Sequence, residues 1–197
     1  MISKIIYQIW LNTEKELPEP VSKSIDSAKK LDGYEYRLIT LDNCHHNKYI
    51  DECLSRNDVK GWVKASDYLR AYYVHKTGGI YLDTDAEIRK SFDPLLNNKM
   101  FLSQEENKFL CNGIFGADKG HQSLKEFLDV LDTLDGTNDL VFENGMGQWT
   151  PIIYKARANG KATIYPPEYF IPYNHQTGET NITENTYTYH HYIKSWV

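Results

Sequence analysis

The stretch GGIYLDTD, residues 78–85, decides how the fold of this chain is interpreted. A pattern of apolar residues at helical spacing precedes it from Trp62 onward, and the paired glycines are a strong signal that this helix ends there. The apolar run Ile80–Leu82 then predicts a short inner strand that delivers Asp83 and Asp85 into a turn. In an open α/β sheet the ligand crevice lies beyond the carboxyl ends of the strands. The stretch therefore predicts a ligand-binding or catalytic site at this turn.

The segments before this stretch alternate between strand and helix patterns. The apolar runs Ile5–Trp10 and Tyr34–Leu41 predict two strands, and apolar residues at helical spacing from Val21 to Leu31 predict a helix between them. A second helix is predicted from about Asn43 to Leu54. This β-α-β-α order favours a layered α/β fold with a mainly parallel sheet. Three later elements are also predicted: a strand over Phe109–Ala117, a helix over His121–Leu134, and a helix over Met146–Ala158 that is interrupted at Pro151.

The composition limits the class of protein. The 197 residues suffice for one domain, and a hydrophobic share of 41% is enough to bury a sizeable core. The formal net charge is −5 and no Lys/Arg run exceeds two residues, which argues against nucleic acid as a partner. Cys44, Cys53 and Cys111 form no C-x-x-C pair, which indicates reduced thiols and a cytoplasmic location. No segment is apolar over the length of a membrane span, so any membrane association is expected to be peripheral, at the inner face.

The two aspartates of the turn predict a metal site. Asp83 and Asp85 are like charges two residues apart, and a divalent cation is the usual means of relieving such repulsion. Their hard carboxylate oxygens suit Mn²⁺ or Mg²⁺. A lone D-x-D is a weak motif, and the alternative is a solvated turn; the strand and the glycine pair in front of it favour the metal site.

Two other acidic motifs were weighed for the same turn. An EF-hand loop starting at Asp83 needs Gly at its sixth position and Glu at its twelfth, where Ile88 and Pro94 stand, so this motif is excluded. A phosphatase of the haloacid dehalogenase type also places D-x-D after an apolar strand. Glu87 occupies the position where that family usually has Thr or Val, so the phosphatase stays as a lesser alternative.

Asp67 and Arg70 are three residues apart on the helix that precedes the glycine pair, so they project from one face of it. A surface ion pair that contributes little to stability explains this spacing as well as a binding role does. Their position in the sequence alone leaves both interpretations open.

Several blocks of the chain resemble a known family when they are taken together. Residues 65–70 (ASDYLR) followed by residues 78–85 (GGIYLDTD) resemble the signature of the D-x-D sugar-transferase family, which includes bacterial capsular polysaccharide transferases and the mannosyltransferases of glycosyltransferase family thirty-two. The opening residues 4–10 (KIIYQIW) resemble its "K-I-I-H-Q-I-W", with Tyr7 where His is usual. The middle block at 112–121 and the closing His190-His191 with Ser195-Trp196 agree as well. A more distant resemblance is to the glucosyltransferase domains of large glucosylating toxins.

The resemblance implies a fold, a reaction and a metal. It implies a GT-A fold, a nucleotide-sugar donor, Mn²⁺ or Mg²⁺, and transfer with retention of the anomeric configuration. By the same resemblance Asp83 contacts the ribose and metal-bound water, Asp85 ligates the metal, and His190, or less readily His191, completes the metal or diphosphate site.

The resemblance also assigns donor contacts. Trp10 is expected to stack on the nucleotide base, and Ser195 and Trp196 are expected to close over the phosphates. Asp67 and Arg70 are expected to hold sugar hydroxyls. The remaining candidates are Gln8 and Tyr81, which lie in the matching blocks at the donor site, and Asn112, which is expected to approach the donor sugar.

The sequence thus predicts a glycosyltransferase that moves a hexose-type sugar from a UDP- or GDP-sugar, with the UDP-sugar favoured. The predicted acceptor is a glycan, glycolipid or glycoprotein in bacterial capsular or surface polysaccharide synthesis. We expect one GT-A domain over residues 1–197, with residues 176–197 closing over the donor site. The alternative from another class is a non-catalytic module that binds nucleotide-sugars or glycans on the same fold.

Overall fold

A six-stranded sheet forms the centre of the computed structural model, which describes residues 1–11, 16–105, 109–173 and 177–193. The strand order is β2-β1-β3-β6-β5-β7. Five strands run in one direction and β6 runs against them, because β6 pairs antiparallel with both β3 and β5 while the other pairings are parallel. The strands are β1 (Ile5–Ile9), β2 (Glu35–Ile39), β3 (Gly79–Leu82), β5 (Met100–Gln104), β6 (Leu110–Ala117) and β7 (Thr163–Tyr165). The mainly parallel α/β sheet predicted from the sequence is therefore confirmed.

Helices cover both faces of this sheet. They are α1 (Glu19–Lys29), α2 (Lys48–Ser55), α3 (Val59–Thr77), α4 (Gln122–Leu131), α5 (Val141–Asn144) and α6 (Met146–Ala158), with two short 3₁₀ turns at Asp93–Leu95 and Pro167–Tyr169. Alternate residues of a strand face opposite sides. Tyr81 accordingly packs into the core beneath α2, α3, α4 and α6, whereas Ile80 and Leu82 pack into a second core on the side of α1.

The helix α3 and the strand β3 set the position of the acidic turn. The side chain of Asp58 caps α3 by accepting a hydrogen bond from the Gly61 N–H at 2.8 Å. The helix ends at Gly78, where φ is +71°, and Gly79 continues at φ +132°, so both glycines adopt backbone angles that other residues rarely take. A Cβ at Gly79 would lie 2.7 Å from the Ile5 carbonyl oxygen of β1, which makes glycine necessary where β3 enters the sheet.

Two short strands form a separate ribbon next to the turn. They are β4 (Ala86–Ile88) and β8 (Thr188–His190), which pair antiparallel with Ala86 opposite His190. The sequence predicted irregular structure for the chain after Pro166, and neither strand was anticipated. Three-residue strands are too short to show a period of two, and only the pairing between distant segments stabilises them.

Most predicted elements were found with shifted ends. The first strand stops at Ile9, and the helix expected from about Asn43 begins at Lys48, because the side chain of Asn47 caps it by accepting from the Ile50 N–H. The helix Met146–Ala158 has the predicted bounds, but the predicted interruption at Pro151 is wrong, because the helix continues through this residue. In the part of the chain that the structure describes, no helix is both long and apolar enough to cross a membrane.

Candidate active site

A cleft of about 940 Å³ opens at the carboxyl ends of β1 and β3. The amino end of β6 reaches the same edge of the sheet, because β6 runs antiparallel to β3. The cleft is lined by Trp10 after β1, by α3, by the acidic turn, by the start of β6 and by the segment around His190. This is the edge at which α/β sheets bind ligands.

Contacts to both its side chain and its backbone hold Asp83 in place. The Tyr81 hydroxyl donates to its Oδ1 at 2.7 Å, and Nη2 of Arg70 lies 3.5 Å from the same oxygen. Its backbone N–H donates to the Gly113 carbonyl at 2.7 Å, and Nε2 of Gln8 donates to its backbone carbonyl at 3.2 Å. Because a Cβ at position 113 would lie 2.2 Å from Oδ2 of Asp83, glycine is required there.

Three side chains converge in a group that could hold a metal ion. The carboxylate oxygens of Asp83 and Asp85 and the ring nitrogen Nε2 of His190 all lie within 4.8 Å of one another. His190 Nε2 is 3.5 Å from Asp83 Oδ2 and 3.4 Å from Asp85 Oδ1. The pairing of β4 with β8 brings His190 to the aspartates across about a hundred residues of chain. Two carboxylates with one imidazole fit Mn²⁺ well and Mg²⁺ less well, since Mg²⁺ prefers oxygen ligands.

The pKa values of Asp83, Asp85 and His190 are all shifted, because these side chains are buried close to one another. Burial raises the pKa of Asp83, but the charge of Arg70 and the hydrogen bond with His190 outweigh it, so this pKa lies below its ordinary value. The pKa of Asp85 is raised by burial and by the negative charge of Asp83, with His190 opposing. Burial lowers the pKa of His190, yet its contacts with Asp83 and Asp85 raise it overall. The two aspartates therefore differ in proton affinity although they flank the same threonine.

The His190 ring has a defined orientation in the group. The Tyr192 N–H donates to its Nδ1 at 3.2 Å, which leaves Nε2 facing the two carboxylates. Nδ1 acts as an acceptor there, so in the neutral ring the proton resides on Nε2. A metal bound at Nε2 would require this proton to leave and Nδ1 to become the protonated nitrogen. His191 has different partners: its Nε2 lies 3.1 Å from Glu87 and its backbone N–H donates to the Asp85 carbonyl at 2.9 Å.

Asp67 and Arg70 form a buried network with Asn112. Both charged side chains are less than a tenth exposed, so the alternative of a surface ion pair is wrong. Arg70 Nη2 lies 3.4 Å from Asp67 Oδ1, Arg70 Nη1 donates to the Asn112 carbonyl at 3.0 Å, and Asn112 Nδ2 donates to Asp67 Oδ1 at 2.9 Å. The guanidinium also lies 4.6 Å from the centre of the Tyr81 ring. Residues from α3, β3 and β6 thus meet behind the acidic turn.

Burial has the largest single effect on the pKa values of Asp67 and Arg70. It raises the pKa of Asp67 to about 6, with Arg70 opposing and Asp83 adding to the rise. Burial also acts to lower the pKa of Arg70, but Tyr81, Asp83 and Asp67 together raise it above its ordinary value, so Arg70 stays charged. The network holds one permanent positive charge against carboxylates whose charge depends on pH.

The other predicted donor residues lie at different depths. Trp10 is half-buried and lines the cleft one residue beyond β1, whereas Gln8 and Tyr81 are buried beneath the acidic turn. Ser195 and Trp196 lie outside the described residues. The sequence did not single out Ile193, whose backbone N–H donates to Asp85 Oδ2 at 3.1 Å, or Gly145, where a Cβ would lie 2.3 Å from Asp67 Oδ2. No sequence signal identifies backbone groups of this kind.

A family model and several relatives match this chain. The model described as "capsular polysaccharide synthesis protein" matches residues 1–117, more than half of the chain. The chain belongs to this family. The match covers the opening block, the α3 pair, the acidic turn and Asn112, whereas the closing block at residues 190–196 lies beyond the matched range.

Similar curated proteins are named as sugar transferases. Inositol phosphoceramide mannosyltransferase 3 of Schizosaccharomyces pombe is 31% identical over 66% of this chain and 37% of its own length. An uncharacterized glycosyltransferase of Acanthamoeba polyphaga mimivirus is 24% identical over 88% of this chain and 74% of its own length. The chain thus spans little more than a third of the yeast mannosyltransferase that it matches. These names support a glycosyltransferase enzyme.

Solved structures share the fold. The PaToxG glycosyltransferase superposes with a TM-score of 0.65 at 20% identity, covering 80% of this chain and 71% of that one. A glycosyltransferase involved in the glycosylation of the major capsid of PBCV-1 gives a TM-score of 0.62 at 8% identity, covering 94% of this chain and 92% of that one. At these identities the likeness concerns the fold alone, and it confirms the fold class expected from the family resemblance.

Proposed function

We propose that this family member is a metal-dependent, retaining glycosyltransferase of the GT-A type, which moves a hexose from a nucleotide-sugar to a glycan-bearing acceptor in capsular or surface polysaccharide synthesis. The observation that carries the proposal is the group Asp83, Asp85 and His190 at a cleft that also holds a buried arginine. Two aspartates beside Arg70 and two beside His190 suit a cation-assisted reaction of an anionic donor. The three free cysteines agree with a cytoplasmic site of action.

The metal would be held by Asp83, Asp85 and His190. When bound, a divalent ion would act as a Lewis acid on the diphosphate leaving group, whose negative charge grows as the glycosidic bond breaks. For this the proton of the neutral His190 ring would have to move from Nε2 to Nδ1, and Nδ1 would then no longer accept the hydrogen bond from the Tyr192 N–H.

The remaining residues would bind and orient the donor. The half-buried ring of Trp10 offers a stacking surface for the base, with a UDP-sugar favoured. Asp67, Arg70 and Asn112 would hold the hydroxyls of the sugar, because their mutual hydrogen bonds pre-orient polar atoms at the cleft wall. Ser195 and Trp196 would complete the phosphate site, and residues 176–197 would close over the donor; the contact of Ile193 with Asp85 supports this role of the segment.

Retention is proposed to proceed by attack on the same face that the diphosphate leaves. A double displacement needs a carboxylate free to attack the anomeric carbon. Asp67 is hydrogen-bonded by Asn112 and paired with Arg70, and Asp83 and Asp85 face His190. None of these three carboxylates is therefore free to attack the anomeric carbon. Detection of a glycosyl-enzyme adduct by mass spectrometry would overturn this part of the proposal.

The test is a donor panel. The protein is incubated with UDP- and GDP-sugars and Mn²⁺, including mannose donors because one relative is named a mannosyltransferase, and free nucleotide is measured. We expect slow hydrolysis of one donor that EDTA abolishes. Binding without turnover would instead support the non-catalytic module, and phosphate release from simple phosphomonoesters would support a phosphatase.

A further inference from the structure

One wall of the cleft is apolar rather than polar. Val59, Trp62 and Val63 from the first two turns of α3 face Val141 and Phe142 of α5 across it. A second cavity of about 430 Å³ is lined by four of these same residues, Val59, Val63, Val141 and Phe142. The apolar wall therefore continues out of the cleft as a groove between α3 and α5, which we call the α3–α5 groove.

Large apolar side chains stay exposed at the groove. Phe142, which lines both cavities, is 47% exposed, and Phe109 beside it is 37% exposed. The rings of Phe109 and Phe142 meet edge to face, with centroids 5.0 Å apart and planes at 88°. A contiguous apolar surface that adjoins a ligand cleft is typical of a binding surface, because single exposed apolar residues are ordinary but grouped ones are costly in water.

The groove starts close to the reacting centre. Val59, Val63 and Asp67 are spaced by four residues and so lie along one face of α3. At a rise of about 1.5 Å per residue, Val63 and Val59 lie about 6 Å and 12 Å along the helix from Asp67. That interval is the length of one or two sugar units. An apolar group bound here would be attached to the acceptor with little glycan in between.

The rim of the groove is charged with an acidic excess. Lys60 pairs with Asp139 at 2.9 Å, and Arg56 pairs with both Asp58 and Asp139. Glu143 also lines the second cavity. Three acidic residues against two basic ones disfavour an anionic membrane surface or a chain attached through phosphate. They are compatible with an uncharged ligand whose chain lies on the apolar floor.

We propose that the α3–α5 groove binds an uncharged alkyl or acyl chain that carries the acceptor sugar, so that the acceptor is a neutral glycolipid of one or two sugar units. The proposal rests on the proposed function, because it names the acceptor of the same cleft. It also predicts binding that can be measured without donor and without turnover.

The experiment compares octyl with methyl glycosides of glucose, galactose and mannose by calorimetric titration, below the micelle concentration. Full burial of a methylene is worth about fourfold in affinity, so partial burial of the octyl chain should make one octyl glycoside bind at least tenfold tighter than its methyl counterpart. Phe142→Ser should reduce this ratio to near one. Val63→Thr keeps the side-chain shape and should lower the ratio severalfold, which guards against a folding defect in the first variant.

Leu41→Ser is the matched control, because Leu41 is exposed at 38%, lines neither cavity and lies outside the segment 176–197. It should keep the wild-type ratio. Equal affinities in the wild type, or an unchanged ratio in Phe142→Ser and Val63→Thr, would overturn the proposal. So would a loss of the ratio in Leu41→Ser, which would indicate unspecific adsorption.

Other occupants give different results. Tighter binding of octyl phosphate than of octyl glucoside would indicate a phosphate-linked chain, and a concentration-dependent dimer that Phe142→Ser abolishes would indicate a second copy; each would overturn the proposal. Nucleotide binding with Mn²⁺ is measured on the same samples. If nucleotide fails to bind while the octyl preference holds, the proposed function is wrong and the alkyl site stands.

Discussion

Two clusters of charged side chains in this molecule differ in balance and in burial. At the acidic turn, Asp67, Asp83 and Asp85 surround Arg70 and His190 at separations of 3.4–3.5 Å, and the side chains are at most 30% exposed. Between α2 and the loop before α5, Asp58 and Asp139 pair with Arg56 and Lys60 at 2.7–2.9 Å, and three of these four side chains are more than 40% exposed.

The difference indicates which cluster is built for a ligand. The surface cluster has two acids and two bases at ideal distances, so it is electrostatically satisfied and contributes little to stability. The buried cluster has an excess of negative charge in a site where water screens poorly. Such an arrangement is unfavourable until a cation binds. In this molecule the cluster with the shorter ion-pair distances is therefore the one that is less important for binding a ligand.

The sharpest test of this difference is to neutralise one aspartate in each cluster. Asp85→Asn should reduce Mn²⁺-dependent donor turnover by about a hundredfold to a thousandfold, because it removes a ligand that positions charge on the leaving group. The metal-free protein should melt at the same temperature or higher, since a repulsive charge is gone. Asp139→Asn is the matched control and should keep wild-type donor turnover when no acceptor is added, because Asp139 lines only the α3–α5 groove. Full activity of Asp85→Asn in EDTA would contradict the metal assignment.

The second test uses the opposite pH dependence of the two clusters. The pKa of Asp67 is raised to about 6 in the folded state, so the ionised form of this residue destabilises the fold. The free energy of unfolding should therefore fall as the pH rises from about 4 through 6. The fall amounts to about 3 kcal/mol if Asp67 titrates alone. Asp58 behaves in the opposite way: its hydrogen bond with Arg56 lowers its pKa to about 2, so its contribution is lost only as the pH falls below about 4.

The test measures the free energy of unfolding of the wild type, Asp67→Asn and Asp58→Asn by denaturant titration between pH 3 and 8. Relative to the wild type, Asp67→Asn should lose the fall in stability between pH 4 and 6. Asp58→Asn should lose stability above pH 4, and the loss should be about half as large at pH 3, because a folded-state pKa of about 2 leaves Asp58 mostly ionised there. Parallel pH profiles for the wild type and Asp67→Asn would show that the carboxylate is not desolvated.

The third test sharpens the assignment of the ligand at the buried cluster. Trp10→Ala should weaken UDP binding by about 1–3 kcal/mol, the contribution of one base–aromatic stack. Trp149 is fully buried in the core, so Trp149→Ala should instead lower the free energy of unfolding by about 3–5 kcal/mol. Calorimetric titration and denaturant unfolding of both variants separate the two roles. Unchanged UDP affinity in folded Trp10→Ala would remove this residue from the donor site.

The smallest effect is expected at the surface cluster. Lys60→Ala breaks the exposed pair with Asp139 and should lower the free energy of unfolding by less than about 1 kcal/mol, an effect that salt should reduce further. Denaturant unfolding at low and high salt measures it. A loss of several kcal/mol would mean that this cluster is more than a satisfied surface network.

Local sequence was enough to predict the acidic turn and the fold class. The helix end at Gly78, the strand Gly79–Leu82 and the turn that follows are neighbours in sequence, and the residue types that make them are explicit. Hydrophobic periodicity alone indicated the alternation of helices and strands, because amphipathic patterns reflect which face is buried.

The partners of the turn were decided by tertiary structure. His190 reaches Asp85 through a strand pairing of three residues, and Asp67 and Arg70 are buried because β6 and α5 cover that face of α3. The α3–α5 groove likewise depends on the packing of a four-residue helix. Burial and contacts between residues distant in the chain carry no local pattern, since each depends on where the whole backbone places its neighbours. Local sequence therefore identified the type of chemistry, whereas the geometry of the site was decided by the tertiary structure.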